Sequence, residues 1–286
     1  EIGWGAFMGC TGLTKVVIPD SVTEIGESAF SGCTNLTSVN IPDSVTKLED
    51  GVFKYLGKVK SLYIPDSVVS IGEYVFSDCA ALTDIHLSEN LEVIPKGAFN
   101  NCKSLENLVI PDSVVEIGIE AFDLCIALKN VTLSKSLEKI GDRAFLLTSG
   151  LRYLQLPDSL KTIGTSAFEN CSLLTGDLSL KSLGLISEKS FNHTSLSSVN
   201  APAATNVQKY AFNACSTLTN VTYGADSVDL SGYCPITGNA KTQAIEFYFP
   251  GSAPKPAFGN GGAFGAYSYS RIYCDPQMDP VGWSAL

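Results

Sequence analysis

Nine cysteines are the first residues in this 286-residue chain whose type invites chemistry. Thiols at regular spacing could hold zinc, close disulfides or act as nucleophiles. Seven of the nine, at 10, 33, 79, 102, 125, 171 and 215, form one column whose steps are 23 residues or close to twice that. Where the column skips a cysteine it holds Leu56, Thr148 or Thr194. A metal centre or an obligate disulfide would not accept Leu or Thr in the series. The column therefore reads as buried thiols, since free Cys behaves as a small hydrophobe. Cys234 and Cys274 stand outside it and could pair, although Cys274 also fits a core strand position. Cysteine usage thus leaves the redox compartment open.

Other reactive constellations are weak. His86 and His193 are the only histidines and sit at different phases of the sequence period. A zinc site would need more converging N or S ligands. No Gly-rich phosphate loop and no Gly-x-Ser-x-Gly elbow occurs. Asp20, Asp43, Asp66, Asp112 and Asp158 recur in Pro-Asp-Ser turns, and turn formation accounts for them. A glycosidase pair needs two carboxylates about 5–10 Å apart in a cleft, which sequence cannot exclude. No catalytic residue, metal ligand or cofactor is assigned, and the chain is expected not to be an enzyme.

The elements that carry these residues follow from periodicity. Phe recurs at 7, 30, 53, 76, 99, 122, 145, 168 and 191 in unbroken steps of 23, and Phe212 follows after 21. The template is I-G-x-x-A-F-x-x-C-x-x-L-x-x-V-x-I-P-x-S-V. Its Val-x-Ile segment alternates apolar and polar, the period of a strand. Examples are Val39/Ile41, Leu62/Ile64, Ile85/Leu87 and Leu108/Ile110. Pro then ends the strand, because it lacks the ladder N–H. The Val45 and Leu48 positions should point back into the core as a second short strand. The Gly after Ile (26, 72, 118, 141, 164) is not expected at positive φ, because Pro95 occupies the same place. That place reads as the start of a short helical turn holding Ala-Phe. One such unit cannot bury its own apolar face, but a stack can. The Phe column is then a continuous internal spine.

Residues 1–223 read as regular repeats and 224–286 as degenerate repeats and a cap of the same solenoid. Leu173 to Leu185 permits two alignments. Val221/Tyr223, Phe247/Phe249 and Ile272/Cys274 continue the strand pattern at spacings of 26 and 25 residues. Gly251 to Gly265 reads as a loop within the cap or as a linker. The tail holds 11 of the 27 aromatics, from Tyr223 to Trp283, either as apolar closure or as a binding hot spot.

Strand side chains that point away from the core should line a concave inner face. One column reads Val17, Asn40, Tyr63, His86, Val109, Thr132, Gln155; its neighbour reads Lys15, Ser38, Ser61, Asp84, Asn107, Asn130, Tyr153. Rows lie about 4.8 Å apart. Tyr63, Asp84, His86 and Val109 are expected to form one mixed patch, with Asn107, Asn130, Tyr153 and Gln155 beside it. Such a surface suits proteins or glycans.

Charge narrows the partners. Nineteen basic against 29 acidic residues give a net charge of -10, which disfavours nucleic acid and anionic membranes. No apolar run approaches the ~20 residues of a membrane span. The chain opens inside a repeat with no signal peptide or anchor, as a trimmed piece of something longer would.

These motifs resemble the BspA-like leucine-rich repeats, with consensus L-x-x-L-x-L-P-x-x-L-x-x-I-G-x-x-A-F-x-x-C. The match is strong to about residue 223. Ile272-Tyr273-Cys274-Asp275-Pro276 with Trp283 is similar to the degenerate last repeat of that family. The resemblance implies a leucine-rich-repeat solenoid, mostly β with short helical turns, as a curved right-handed stack of about 12 repeats. It implies an extracellular or cell-surface bacterial protein of the adhesin or scaffold kind, and no catalytic residues. The expected partner is a host or bacterial surface protein or a glycan. A carbohydrate-binding module and an accessory domain of a larger surface enzyme are the alternatives.

Overall fold

The computed structural model describes residues 1–223 and, after them, the backbone of Asp229–Leu230, Glu246–Phe249, Ala257–Phe258 and Arg271–Cys274. Two parallel ladders run along the chain. The first is built from the Val-x-Ile segments: Ser61–Tyr63 pairs with Asp84–His86, and Asn107–Val109 with Asn130–Thr132, each at an offset of 23 residues. The second is the short strand expected near Leu48. It includes Lys47–Leu48 on Ser70–Ile71, then Val93–Ile94, Glu116–Ile117, Lys139–Ile140 and Thr162–Ile163 in order. Val45 and Leu48 are fully buried.

The ambiguity after Phe168 resolves into a strand, Thr175–Ser179, that pairs with Ser195–Ala201 through a register shift between Gly176 and Asp177. The first ladder then continues through Asn220–Tyr223, Glu246–Phe249 and Arg271–Cys274. Val221, Phe247 and Ile272 are in register, so the 26- and 25-residue spacings are real strand steps. Tyr223, the first of the tail aromatics, is fully buried, as closure of the core requires. The side chains of the other tail aromatics and of Cys274 lie outside the described residues, as do Cys234 and, apart from the backbone of Ala257–Phe258, Gly251 to Gly265.

The core is the Phe column. From Phe30 to Phe212 every ring is fully buried. Successive rings stack with centroids 5.1–5.8 Å apart and planes within 15° of parallel. Offset stacking of this kind adds about 0.5–1.5 kcal/mol per pair beyond burial. Phe7, at one end, stacks on Phe30 but stays 39% exposed.

Two expectations need correction. The repeat count of about 12 is too high: the regular period gives about eight turns, the eight 23-residue steps from Phe7 to Phe191. The Ala-Phe segment is also not a helical turn. In every repeat a left-handed residue stands two before and two after the Phe, such as Glu120 (φ 56) and Leu124 (φ 61) around Phe122. This places alternate N–H groups toward the next repeat. Ser28, Phe30 and Gly32 donate to the carbonyls of Asp50, Val52 and Lys54 at 2.9–3.0 Å. A helix would spend those donors inside the segment. Glycine at 5, 9, 32, 51 and 97 falls on these two places and was the sequence signal for them. The Gly after Ile has no positive φ, as expected. Its constraint is crowding: a Cβ on Gly141 would lie 2.7 Å from the carbonyl carbon of Gly118.

Candidate binding face

Burying Leu62, Ile85 and Leu108 turns the residues on either side of each outward. The two expected columns therefore exist. Tyr63 and His86 are directly paired across the ladder, and their rings stack at 4.7 Å, 5° from parallel. Tyr63 remains 58% exposed. Asp84 lies on the same face, opposite Ser61. Asn130 donates its Nδ2–H to Oδ1 of Asn107 at 2.8 Å. Tyr153, 69% exposed, meets Asn130 through a single bridge.

Val109 pairs with Thr132 on one side. On its other side Asn107–Val109 lies next to Asp84–His86 without a regular ladder between them. Tyr63, Asp84 and His86 thus stand on the same face as Asn107, Val109, Asn130 and Tyr153. Gln155, two residues beyond Tyr153, also lines a cleft.

That cleft encloses about 780 Å³ on the flank of the first ladder, between Thr132 and Asp177. Here the ladder thins to the lone bridge Asn130↔Tyr153 before resuming at Thr175–Ser179. Val131, Leu154 and Leu156 line it and are only partly buried. At comparable places Leu62, Leu108 and Ile110 are at most 4% exposed, whereas Val16 and Val39, near the start of the stack, are also only partly buried. Sequence could not reveal the cleft, since these repeats carry the ordinary apolar pattern.

The cysteine column is buried, as expected, from Cys33 to Cys215; Cys10 at its end is exposed. Sequence missed its polar role. Cys79, Cys102, Cys125 and Cys171 each donate Sγ–H to the carbonyl of the Phe one repeat back, at 3.2 Å. Thr148 does the same to Phe122 at 2.9 Å, which explains its place in the column. Burial pushes the Cys79 and Cys125 thiols up to about 12 and raises Cys102 and Cys171 as well. Such thiols are poor nucleophiles, because only the thiolate attacks. Among the described residues no three His, Cys, Asp or Glu side chains converge as a metal site. No helix among them is long and apolar enough to cross a membrane.

The BspA type leucine rich repeat profile matches in six copies over residues 1–128 and 92–219. The chain belongs to this family. Among solved structures, this leucine-rich-repeat protein is similar to a T. pallidum leucine rich repeat protein at 31% identity, covering 56% of this chain and 72% of that one, with a TM-score of 0.51. A leucine-rich repeat protein from Bacteroides ovatus shares the fold at 22% identity, over 96% of this chain and 87% of that one, TM-score 0.53. The pneumococcal vaccine antigen PcpA does so at 20% identity, over 92% of this chain and 74% of that one, TM-score 0.58. No curated protein matches the sequence.

Proposed function

We propose that this chain is a non-catalytic binding scaffold, displayed on a bacterial surface or outside the cell, that holds a host or bacterial surface protein against its strand face. The observation that carries the reading is the stacked pair Tyr63–His86. Two rings are held parallel at 4.7 Å by paired strands while Tyr63 stays 58% exposed. An aromatic fixed by its neighbours contributes contact area with little further loss of rotamer freedom, which is the character of an interface anchor. Asp84 beside the pair adds a charged contact, and Asn107, Asn130, Val109, Tyr153 and Gln155 extend a mixed polar and apolar surface along the same face. The family supports a scaffold, and the raised thiols argue against cysteine catalysis.

The test is surface plasmon resonance of the immobilised chain against solubilised host extracellular-matrix protein. Saturable binding should fall at least tenfold in Tyr63→Ala and His86→Ala, with unfolding midpoints unchanged. Binding that ignores both substitutions would refute the assignment of this face.

A further inference from the structure

The acidity of the chain is uneven along the stack. Residues 1–100 carry 13 acidic and 6 basic side chains, whereas residues 101–200 carry 11 and 9. The contrast is sharpest on the turn that follows the first ladder. Asp20, Asp43, Asp66 and Glu89 hold the same place on that turn in four successive repeats, and all four are exposed. Rows of such a stack lie about 4.8 Å apart, so neighbouring carboxylates repel. Further along, lysines of the next repeat relieve the repulsion. Asp112 pairs with Lys135 at 2.8 Å and Asp158 with Lys181 at 2.9 Å. Among the described residues no Lys or Arg forms an ion pair with Asp20, Asp43, Asp66 or Glu89. The N–H of Glu89 donates to Asp66 Oδ1 at 2.9 Å, which leaves the charge in place.

This acidic edge borders the Tyr63–His86 pair, for Asp66 follows Tyr63 and Glu89 follows His86 by three residues. His86 covers one face of the Tyr63 ring. Asn40 precedes Tyr63 in the column, and its amide accepts the Ile18 N–H and donates to the Ile18 carbonyl, both at 2.8 Å. It is committed to the preceding repeat, and among the described residues no ring stacks on the second face of Tyr63. Lys15 and Lys60 border the face on the side away from the turn, the side where Asp84 adds a carboxylate. Lys47 pairs with Glu49 at 2.9 Å, and Lys54 and Lys96 lie against Tyr55 and Tyr74. The open ring is therefore flanked by negative charge with no cation of the same edge to match it. A guanidinium fits both features, because it stacks on an aromatic face and pairs with carboxylates through its planar fork. Complementary charge of this kind selects the partner more than it sets raw affinity.

We propose that the segment held on the strand face is basic: an arginine-bearing stretch of the partner protein, with one guanidinium over the open face of Tyr63 and further cations along Asp43, Asp66 and Glu89. The proposal rests on the strand-face reading and adds the charge of its occupant.

The experiment measures three end-blocked peptides of equal length, alternating Arg-Ser, Gln-Ser and Glu-Ser, on the immobilised whole chain by surface plasmon resonance. The Arg-Ser peptide should bind saturably and the other two should not. Its binding should weaken about fivefold as sodium chloride rises from about 50 to about 200 mM, because exposed charges are screened. Asp43→Asn, Asp66→Asn and Glu89→Gln together should weaken it about tenfold, and the amides keep the acceptor that the Glu89 N–H uses. Glu24→Gln, Glu27→Gln and Glu92→Gln remove the same charge from exposed places on other faces, and should leave binding within about twofold of the parent. Tyr63→Leu, which keeps apolar bulk without the ring, should weaken it as well. The proposal is overturned if no peptide binds at millimolar concentration, if the Gln-Ser or Glu-Ser peptide binds as well as Arg-Ser, or if the two triple variants behave alike. Capture of a matrix protein that depends on Tyr63 but ignores salt and the edge variant would overturn the basic occupant and leave the strand-face reading standing. Arg-Ser binding that Tyr63→Leu leaves unchanged would overturn the placement at Tyr63.

Discussion

Cys102 donates its Sγ–H to the carbonyl of Phe76, 26 residues earlier, at 3.2 Å. The same carbonyl accepts the N–H of Cys79 at 3.3 Å, so one oxygen ties the turn of its own repeat to the next. Each such bond joins two neighbouring units of the stack.

This relationship predicts a ranking at position 102. Cys102→Thr should be tolerated, as Thr148 is in its own repeat. Cys102→Ala loses a donor and leaves a void, and should cost about 1–3 kcal/mol. Urea unfolding of the two variants checks the order. Mass-spectrometric mapping after iodoacetamide treatment at pH 8 should find Cys79, Cys102, Cys125 and Cys171 unmodified until the chain is unfolded.

The Phe spine predicts that position matters more than residue type. Phe122→Ala removes a fully buried ring that stacks on both Phe99 and Phe145. It should cost about 3–5 kcal/mol. Phe7→Ala, at the end of the column and 39% exposed, should cost well under half of that. Denaturant midpoints measured side by side decide it.

Asp123 predicts a pH dependence. Burial, then repulsion from Glu120, raises its carboxyl from 3.8 to about 6, with Arg143 and a backbone hydrogen bond opposing. Its Oδ1 has no hydrogen-bond partner. The folded chain thus holds this proton more tightly than the unfolded chain does. Stability should fall as pH rises from about 4 to about 6 and stay lowered above that. Equivalent places hold Asn192 and Asn213, whose amides donate at 2.7 and 2.9 Å to Glu169 and Asn192 of the preceding repeat. Asp123→Asn should therefore stabilise the chain by about 1–2 kcal/mol at pH 7.5, discounted for partial exposure, and flatten that stretch of the profile. Thermal midpoints of both chains between pH 4 and 8 test the sign.

Leu147 predicts a stabilising change. It holds a left-handed φ of 56 and is 39% exposed, so its side chain returns little burial for the strain. Asn tolerates this conformation and already occupies positions 101 and 170. Leu147→Asn should stabilise by about 0.5–1 kcal/mol, less than the ~1–2 kcal/mol cost of a left-handed residue because some apolar contact is lost. A midpoint below that of the parent chain would contradict this account.

The period, the Phe spine, the buried thiol column and the outward placement of Tyr63, His86, Asn107 and Asn130 were all legible in the residues. The physical reason is translation: each side chain in such a stack meets mainly its own copy one repeat away, so spacing along the chain is nearly a contact map. Three features were decided only in three dimensions. The Ala-Phe segment turns through left-handed residues, because its donors satisfy the next repeat and not itself. The cysteines are hydrogen-bond donors as well as filler, which depends on where a carbonyl 26 residues away comes to rest. The cleft beside Gln155 arises where the first ladder is reduced to the bridge Asn130↔Tyr153. Residues there keep the repeat pattern, and strand separation depends on how main chains settle against each other, which residue types do not encode.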